Sequence, residues 1–295
     1  MKQVSALFFC LMMMTMSLSG CLEETTSSNS QSINKNETSL TSWEKNISIS
    51  IPDNYIDLAS FSSDSKFVAT LVDNGSEKAI QIWSTTNWTQ IIELSNSDRI
   101  NGFSFSPSGN IFTSYGGNQI HVWNMVNWTI TETIELEYGV EFTMDYSDDG
   151  KYLATGHTNG EIYIWNTTNW NLVKALDSGF QIFSIDISSS IDMIAAGGPG
   201  RNVKVWETTN WSLVTTLSEH ETWVQSTLFS PNGDYLISGS SKPFFSGGSQ
   251  IIVWATSDWS IVKTITEDTD DVQKMNFLPT SNYFASTWSS NQLRI

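Results

Sequence analysis

Residues 152–170 read YLATGHTNGEIYIWNTTNW, and this stretch contains the pattern that decides the fold. A small, mostly apolar segment at 152–156 leads into a turn. A second, alternating segment follows and ends on Trp165. A polar turn then leads to another tryptophan, Trp170, five residues further on. Short alternating segments separated by Gly- and Asn-containing turns predict antiparallel β-strands joined by hairpins.

The same pattern recurs along most of the chain. Its first tryptophan returns at intervals of 40, 42, 41 and 48 residues, at Trp83, Trp123, Trp165, Trp206 and Trp254. A second tryptophan follows each of these after five residues, at Trp88, Trp128, Trp170, Trp211 and Trp259. An alternating strand and a tight turn precede these segments, with the turn read as Ser-Pro-Ser-Gly at 106–109, Ser-Asp-Asp-Gly at 147–150 and Ser-Pro-Asn-Gly at 230–233. Four strands in about 40 residues is the repeat of a β-propeller blade.

On these residues the chain resembles the WD-repeat family of β-propellers over residues 43–295. That family places an Asp in the turn before the blade tryptophan and a His at the entrance to each blade. The Asp positions here are occupied by Glu77, Gly117, Asn159 and Gly200, and His220 stands at the His position. The blades are therefore divergent members of the pattern.

The number of blades follows from the ends of the repeat. Five complete units end near Glu267, and a sixth begins at Val272. Residues 46–51 alternate like an outer strand that has no blade of its own. We expect an all-β propeller of six four-stranded blades, closed by this N-terminal strand on the C-terminal blade, which would cover an exposed strand edge. The alternative is seven blades with the C-terminus missing.

The N-terminal residues predict an export signal. Residues 1–20 carry one early charge, Lys2, and an apolar run too short for a comfortable membrane span. They end in Leu18-Ser19-Gly20-Cys21, which resembles the lipobox of prokaryotic lipoproteins. The resemblance implies that Cys21 is lipidated and anchors the protein to a membrane, at the cell surface or in the periplasm. Residues 21–42 are rich in Ser, Thr and Asn, which predicts a flexible tether.

Composition excludes several functions. The chain has 31 acidic and 14 basic residues, a net charge of −17, which disfavours nucleic-acid binding because that depends on basic side chains. It contains no nucleophile elbow, no phosphate-binding Gly loop and no paired metal-ligand motif. We therefore expect no catalytic residue, no metal and no cofactor, and a protein that is not an enzyme. The acidic run at 267–271 favours a solvated surface over a calcium site.

The WD-repeat resemblance implies one partner-binding face, formed by the loops between second and third strands and by the blade entrances. Two Phe side chains occupy an inserted loop at 242–248, Trp223 stands at a blade entrance, and three further large side chains end second strands. The predicted partner-binding residues are Phe244, Phe245, Trp223, Tyr115, His157 and Trp288. For each of them, packing within the propeller remains the alternative.

The preferred function is a membrane-anchored interaction scaffold for an unidentified protein at the membrane or cell surface. The alternative is a small-molecule or glycan-binding protein, possibly catalytic, which would use channel residues such as Asp145 and Asp186. Acceptor motifs for N-glycosylation, Asn-x-Ser/Thr, also recur in the chain. They occur at Asn36, Asn46, Asn74, Asn87, Asn127, Asn166 and Asn210.

Overall fold

A computed structural model describes residues 55–73, 75, 77–95, 100–138, 140–241, 249–267, 271–277, 283–289 and 292–295. The regular structure of these residues consists entirely of strands, arranged in six antiparallel sheets. Five sheets have four strands and the sixth has three, and neighbouring strands follow chain order in each. The prediction of an all-β, six-bladed propeller is confirmed.

Each sheet is one blade. The first blade contains β1 (Tyr55–Phe61), β2 (Phe67–Asp73), β3 (Lys78–Ser84) and β4 (Gln90–Leu94). The second contains β5 (Gly102–Phe105), β6 (Ile111–Gly116), β7 (Gln119–Asn124) and β8 (Thr129–Glu135). The third contains β9 (Val140–Tyr146), β10 (Tyr152–His157), β11 (Glu161–Asn166) and β12 (Leu172–Asp177). The fourth blade contains β13 (Ser184–Ser188), β14 (Met193–Gly197), β15 (Val203–Glu207) and β16 (Leu213–Leu217). The fifth contains β17 (Trp223–Phe229), β18 (Tyr235–Ser241), β19 (Ser249–Ala255) and β20 (Ile261–Glu267). The sixth contains β21 (Val272–Phe277), β22 (Phe284–Trp288) and β23 (Leu293–Arg294).

The first strand of each blade lies at the centre of the propeller, where successive first strands contact one another from β1 to β21. The fourth strands lie at the rim and are largely exposed. The strand predicted at 46–51 lies outside the described residues, so closure of the sixth blade by this strand stays a prediction.

The hydrophobic core is divided among the interfaces between blades. Each of five buried clusters contains side chains from two consecutive blades. Between the second and third blades, for example, Ile120 packs in one cluster with Leu153 and Trp165. Because both faces of an inner blade are covered in this way, its second strand is almost continuously buried.

The turns between first and second strands have the geometry that their sequences predict. Gly109, Gly150 and Gly233 have φ values of +76°, +70° and +74°, which favour glycine over residues with a side chain. The backbone N–H of each donates to the carbonyl of the serine three residues earlier, at 2.7–3.0 Å. The predicted turns at 106–109, 147–150 and 230–233 are confirmed.

The two tryptophans of each repeat have different roles. The first lies on the third strand and is buried in four blades, while Trp83 is half-buried. The second has a left-handed backbone in all five repeats, with φ between +56° and +63°, which is unusual for a large side chain. Its ring can repay that strain by packing on a neighbouring blade: Trp128 meets Phe67 edge-on at 5.4 Å, and Trp211 meets Tyr152 at 5.5 Å.

Candidate interaction face

One end of the propeller carries the loops between second and third strands together with the connections that enter each blade. We call this end the loop face. Each blade is an antiparallel meander, so the other two kinds of turn lie at the opposite end. The predicted partner-binding residues were all assigned to the loop face, and the structure separates them into three groups.

Trp223 is accessible on the loop face. It is the first residue of β17 and is half-buried. Its ring lies 5.8 Å from that of Phe183, which precedes β13 on the fourth blade. Aromatic rings held against each other in this way present a rigid apolar surface at little cost in conformational entropy. Trp223 therefore remains a candidate contact residue.

Tyr115, by contrast, is a core residue, and the prediction that it binds a partner is corrected. Its side chain is 6% exposed and packs in the cluster between the second and third blades. Its ring lies over Gly102, where an added Cβ would come within 2.4 Å of the hydroxyl oxygen. Burial raises the pKa of the Tyr115 hydroxyl well above its ordinary value.

His157 is also internal, with an exposed fraction of 1%, so its predicted role in binding is likewise corrected. Its Nδ1 lies 2.8 Å from the carbonyl oxygen of Tyr138 and its Nε2 lies 2.8 Å from the Thr155 hydroxyl. A carbonyl can only accept, so Nδ1 carries the proton and Nε2 accepts from Thr155. The indole nitrogen of Trp165 donates to the same hydroxyl at 3.0 Å. Burial lowers the pKa of His157, which favours this neutral form.

A related arrangement in the fifth blade uses the histidine that the WD-repeat pattern predicts. His220 Nε2 lies 2.6 Å from the Ser238 hydroxyl, which also receives the indole N–H of Trp254 at 2.8 Å. Burial lowers the pKa of His220 to about 4, so the ring is neutral at pH 7. In the third blade, therefore, His157 on a second strand makes the bond that His220 makes from the blade entrance.

In the sixth blade, Trp288 is hydrogen-bonded to the serine two residues earlier, as His157 is to Thr155, but Trp288 is the donor. It is 2% exposed, and its indole nitrogen donates to Ser286 at 2.9 Å. The guanidinium of Arg294 covers its ring at 4.2 Å. The prediction that Trp288 contacts a partner is therefore corrected: its side chain completes the interior of the blade.

The remaining predicted positions lie outside the described residues. These are Phe244 and Phe245 in the loop at 242–248, Cys21, and the acceptor residues Asn36, Asn46 and Asn74.

The structure adds aromatic side chains that the sequence pattern did not single out. Tyr138 is 41% exposed before β9. Phe180 and Phe183 are half-buried between β12 and β13. Phe180 lies against the turn at 198–200, where a Cβ on Gly200 would meet its ring at 2.7 Å. With Trp223, these residues occupy the third, fourth and fifth blades, and we call the four residues the aromatic arc. Their common position, at or just before the start of a first strand, was the signal in the sequence.

Acidic side chains lie at the same blade entrances as the aromatic arc. The exposed carboxylates of the entrance connections to the third, fourth and fifth blades are those of Glu137, Asp177, Glu219 and Glu221. Several exposed carboxylates at one end of the protein contribute a negative potential that attracts basic groups from solution.

The channel residues Asp145 and Asp186 connect neighbouring blades. Oδ2 of Asp145 accepts from the backbone N–H of Ile187 at 3.1 Å, and Oδ2 of Asp186 accepts from that of Phe229. Both side chains are half-buried, and their loss of hydration raises both pKa values, that of Asp186 to about 7. The charge of Asp186 raises the pKa of Asp145 further. Both carboxylates thus bridge first strands within the protein.

Two further observations concern metals and membranes. Within the described ranges, no group of three or more His, Cys, Asp or Glu side chains is placed to hold a metal ion. The same part of the chain forms no helix long and apolar enough to cross a membrane.

Comparison with known proteins agrees with the observed architecture. The family model described as WD domain, G-beta repeat matches residues 88–124, 138–166 and 211–254. These matches cover the first three strands of the second, third and fifth blades, and two of them also include the outer strand of the preceding blade. They support a WD-repeat β-propeller. A search of the curated proteins found no match. The WD-repeat propeller fold is consistent with an interaction scaffold.

Proposed function

We propose that this protein is a membrane-anchored extracytoplasmic scaffold that binds another protein through the loop face. The observation that carries the proposal is the pairing of Trp223 with Phe183 on adjacent blades. Binding hot spots are enriched in Trp and Tyr, and they cluster where rigid side chains can be fully desolvated. The aromatic arc supplies these residues on a face built of rigid blades.

The surrounding charge indicates the chemistry of the partner. Glu137, Asp177, Glu219 and Glu221 lie exposed at the blade entrances that carry the aromatic arc, and the whole chain carries a net charge of −17. Complementary charge around an apolar centre speeds association and excludes partners of the wrong sign. The proposed partner is therefore a protein with an apolar patch flanked by Lys and Arg.

The proposed anchor is a lipid on Cys21, followed by the tether at 21–42. Two acyl chains suffice for stable membrane attachment, so an acidic domain can stay at an anionic surface without basic residues. The tether would give the propeller freedom to orient its loop face toward a partner in the same membrane.

Co-purification from detergent-solubilised native membranes tests the proposal. The wild-type chain should recover one partner protein, at the same molar ratio of partner to chain in repeated purifications. Trp223→Ala and Phe183→Ala should each reduce that recovery at least several-fold, because each truncates a hot-spot side chain. Val262→Ala is the matched control, since Val262 is 54% exposed on the outer strand of the same blade as Trp223.

Equal recovery from Trp223→Ala, Phe183→Ala and wild-type chains would refute binding through the aromatic arc. The unfolding midpoint of each variant must match that of the wild type, which separates lost binding from lost structure. Mass analysis of the N-terminal peptide tests the anchor separately, because a lipidated Cys21 adds the mass of its acyl chains.

A further inference from the structure

The turn between third and fourth strands has one geometry in three repeats with the same motif. Residues Asn87-Trp88-Thr89, Asn127-Trp128-Thr129 and Asn210-Trp211-Ser212 each place the tryptophan at positive φ. The backbone N–H of the third residue then donates to the side-chain oxygen of the Asn, at 3.3, 3.2 and 2.7 Å. All three Asn side chains are exposed. The turns lie at the end of the propeller opposite the loop face.

At Asn87 and Asn127 the amide is held with its nitrogen available. The hydroxyl of Thr89 donates to Oδ1 of Asn87 at 2.9 Å, and that of Thr129 donates to Oδ1 of Asn127 at 2.8 Å. Within the described part of the chain, no hydrogen bond involves the Nδ2 of either residue. The amide and the hydroxyl of each motif therefore lie side by side at the surface, with Nδ2 accessible.

The corresponding motif at Asn210, which has Ser212 in place of Thr, is hydrogen-bonded to a neighbouring carboxylate. Nδ2 of Asn210 donates to Oε1 of Glu207. The Ser212 hydroxyl donates to the same oxygen at 2.8 Å instead of to the amide. Charge-assisted bonds of this kind are roughly twice as strong as neutral ones. The amide of Asn210 and the hydroxyl of Ser212 are therefore both hydrogen-bonded to Glu207.

Asn166 is not equivalent to these three. It ends β11, is half-buried, and its Oδ1 accepts the backbone N–H groups of Thr168 and Asn169 at 2.9 and 3.3 Å. Its amide is thus part of the turn that joins the third and fourth strands.

We propose that Asn87 and Asn127 carry N-linked glycans, and that Asn210 and Asn166 are modified much less. In this reaction Nδ2 forms a bond to the anomeric carbon of a lipid-linked oligosaccharide. The bond from that carbon to the lipid phosphate breaks, the phosphate leaves with the bonding electrons, and the amide loses one proton. The inference rests on the proposed extracytoplasmic location, where such donors act. Glycans on two adjacent blades would cover the end opposite the loop face and leave the aromatic arc open.

Glycopeptide analysis of the full-length protein, isolated from the membranes of the cells that make it, tests the proposal. Peptides containing Asn87 and Asn127 should carry glycan in most copies, and those containing Asn210 and Asn166 in a several-fold smaller fraction. Unmodified Asn87 and Asn127 in a chain with lipidated Cys21 would overturn the glycan proposal and leave the scaffold proposal intact. A chain with unlipidated Cys21, recovered from the cell interior, would contradict the location on which both rest.

Engineered motifs provide matched controls. Asp258-Trp259-Ser260 in the fifth blade has the same turn, with the backbone N–H and hydroxyl of Ser260 donating to Asp258 at 3.0 and 2.7 Å. Asp258→Asn should therefore create a modified site, and Glu207→Ala should increase occupancy at Asn210 several-fold. These variants are expressed in a glycosylating host beside a reporter with a flexible acceptor motif. A modified reporter with unmodified Asp258→Asn and unchanged Asn210 would refute the geometric argument.

Discussion

Asp186 on the first strand of the fourth blade accepts a hydrogen bond from the backbone N–H of Phe229 on the fifth, with Oδ2 and N 2.6 Å apart. Asp145 makes the equivalent bond to Ile187 one blade earlier. These bonds satisfy donors on strand edges that face the channel and have no neighbouring strand there. The centre of the propeller is therefore linked by side chains across blade boundaries, and the linking groups can titrate.

Stability should fall as the pH rises toward neutrality because of Asp186. Loss of hydration raises its pKa in the folded state to about 7, so the folded chain binds this proton more tightly than the unfolded chain. The stabilisation is complete below the unfolded pKa of about 4 and is lost as pH rises through about 7. Asp186→Asn keeps an acceptor without the charge. Between pH 5 and pH 8, the free energy of unfolding of this variant should rise relative to that of the wild type by on the order of 1–2 kcal/mol, because solvent partly screens the half-buried charge.

Urea unfolding of both proteins at several pH values measures this difference. His220 acts in the opposite direction, because burial lowers its folded pKa to about 4 and its contribution is lost as pH falls through the range from about 6.5 to about 4. Comparing Asp186→Asn with wild type removes that shared effect. A pH-independent difference between the two would show that Asp186 is not the titrating group.

Removal of the Thr155 hydroxyl should destabilise the third blade strongly. In Thr155→Val, the indole N–H of Trp165 and Nε2 of His157 lose their common partner while remaining buried, at a cost of about 2–4 kcal/mol. Thr155→Ser keeps the hydroxyl and loses one methyl group, so it should cost about 1 kcal/mol. Chemical denaturation compares the three proteins, and equal losses in the two variants would contradict the hydrogen-bond argument.

At Trp128, glycine should be tolerated better than alanine. The side chain is 8% exposed and packs on Phe67 and Phe112, so either substitution should cost roughly 3–5 kcal/mol in lost packing. The backbone φ of +56° penalises alanine further, and Trp128→Gly should be roughly 0.5–1 kcal/mol more stable than Trp128→Ala. Thermal and urea unfolding measure the order. Ala154→Gly, in a regular strand, should instead destabilise the protein, and the same order at both sites would contradict the argument.

Deletion of residues 43–52 should weaken the propeller, whereas deletion of the tether should not. The alternation at 46–51 predicts the fourth strand of the sixth blade, and a strand edge left uncovered promotes association. Chains starting at residues 22, 43 and 53 are compared by urea unfolding and sedimentation. The first two should be alike, and the third should unfold earlier and self-associate. Three equally stable monomers would refute closure by this segment.

The fold could be predicted from the sequence because each repeat carries its own signals. The tryptophan pairs mark the third and fourth strands of five blades, and the Ser-x-x-Gly turns mark the first and second strands of three. Neither signal needs the missing Asp and His residues. The indole N–H of Trp165, for example, needs only a hydroxyl acceptor on the adjacent strand. Thr155 provides that hydroxyl, and the residue that bonds to the other side of Thr155 can differ between blades.

The site was harder to predict because strand ends and loops look alike in sequence. His157 lies two residues after the buried Thr155, so strand alternation directs both side chains to the same interior face. The prediction instead treated His157 as a loop residue and did not use this alternation. Tyr115 is buried because Gly102 leaves room for its ring, and that contact joins residues 13 positions apart. Phe183 was not predicted because its contact with Trp223 joins two neighbouring blades and residues 40 positions apart. The lipid proposed on Cys21 is an expectation from the short motif at 18–21 alone.

The central claim is that the aromatic arc binds a protein partner, and site-specific photo-crosslinking in intact native membranes tests it most directly. A photoreactive amino acid is placed in the full-length chain at position 138, within the arc, or at position 262 on the outer strand of the fifth blade. Position 138 should give one discrete adduct that Trp223→Ala abolishes, while position 262 gives none. No adduct from position 138, or the same adduct from both positions, in a correctly folded and membrane-bound protein would contradict the claim.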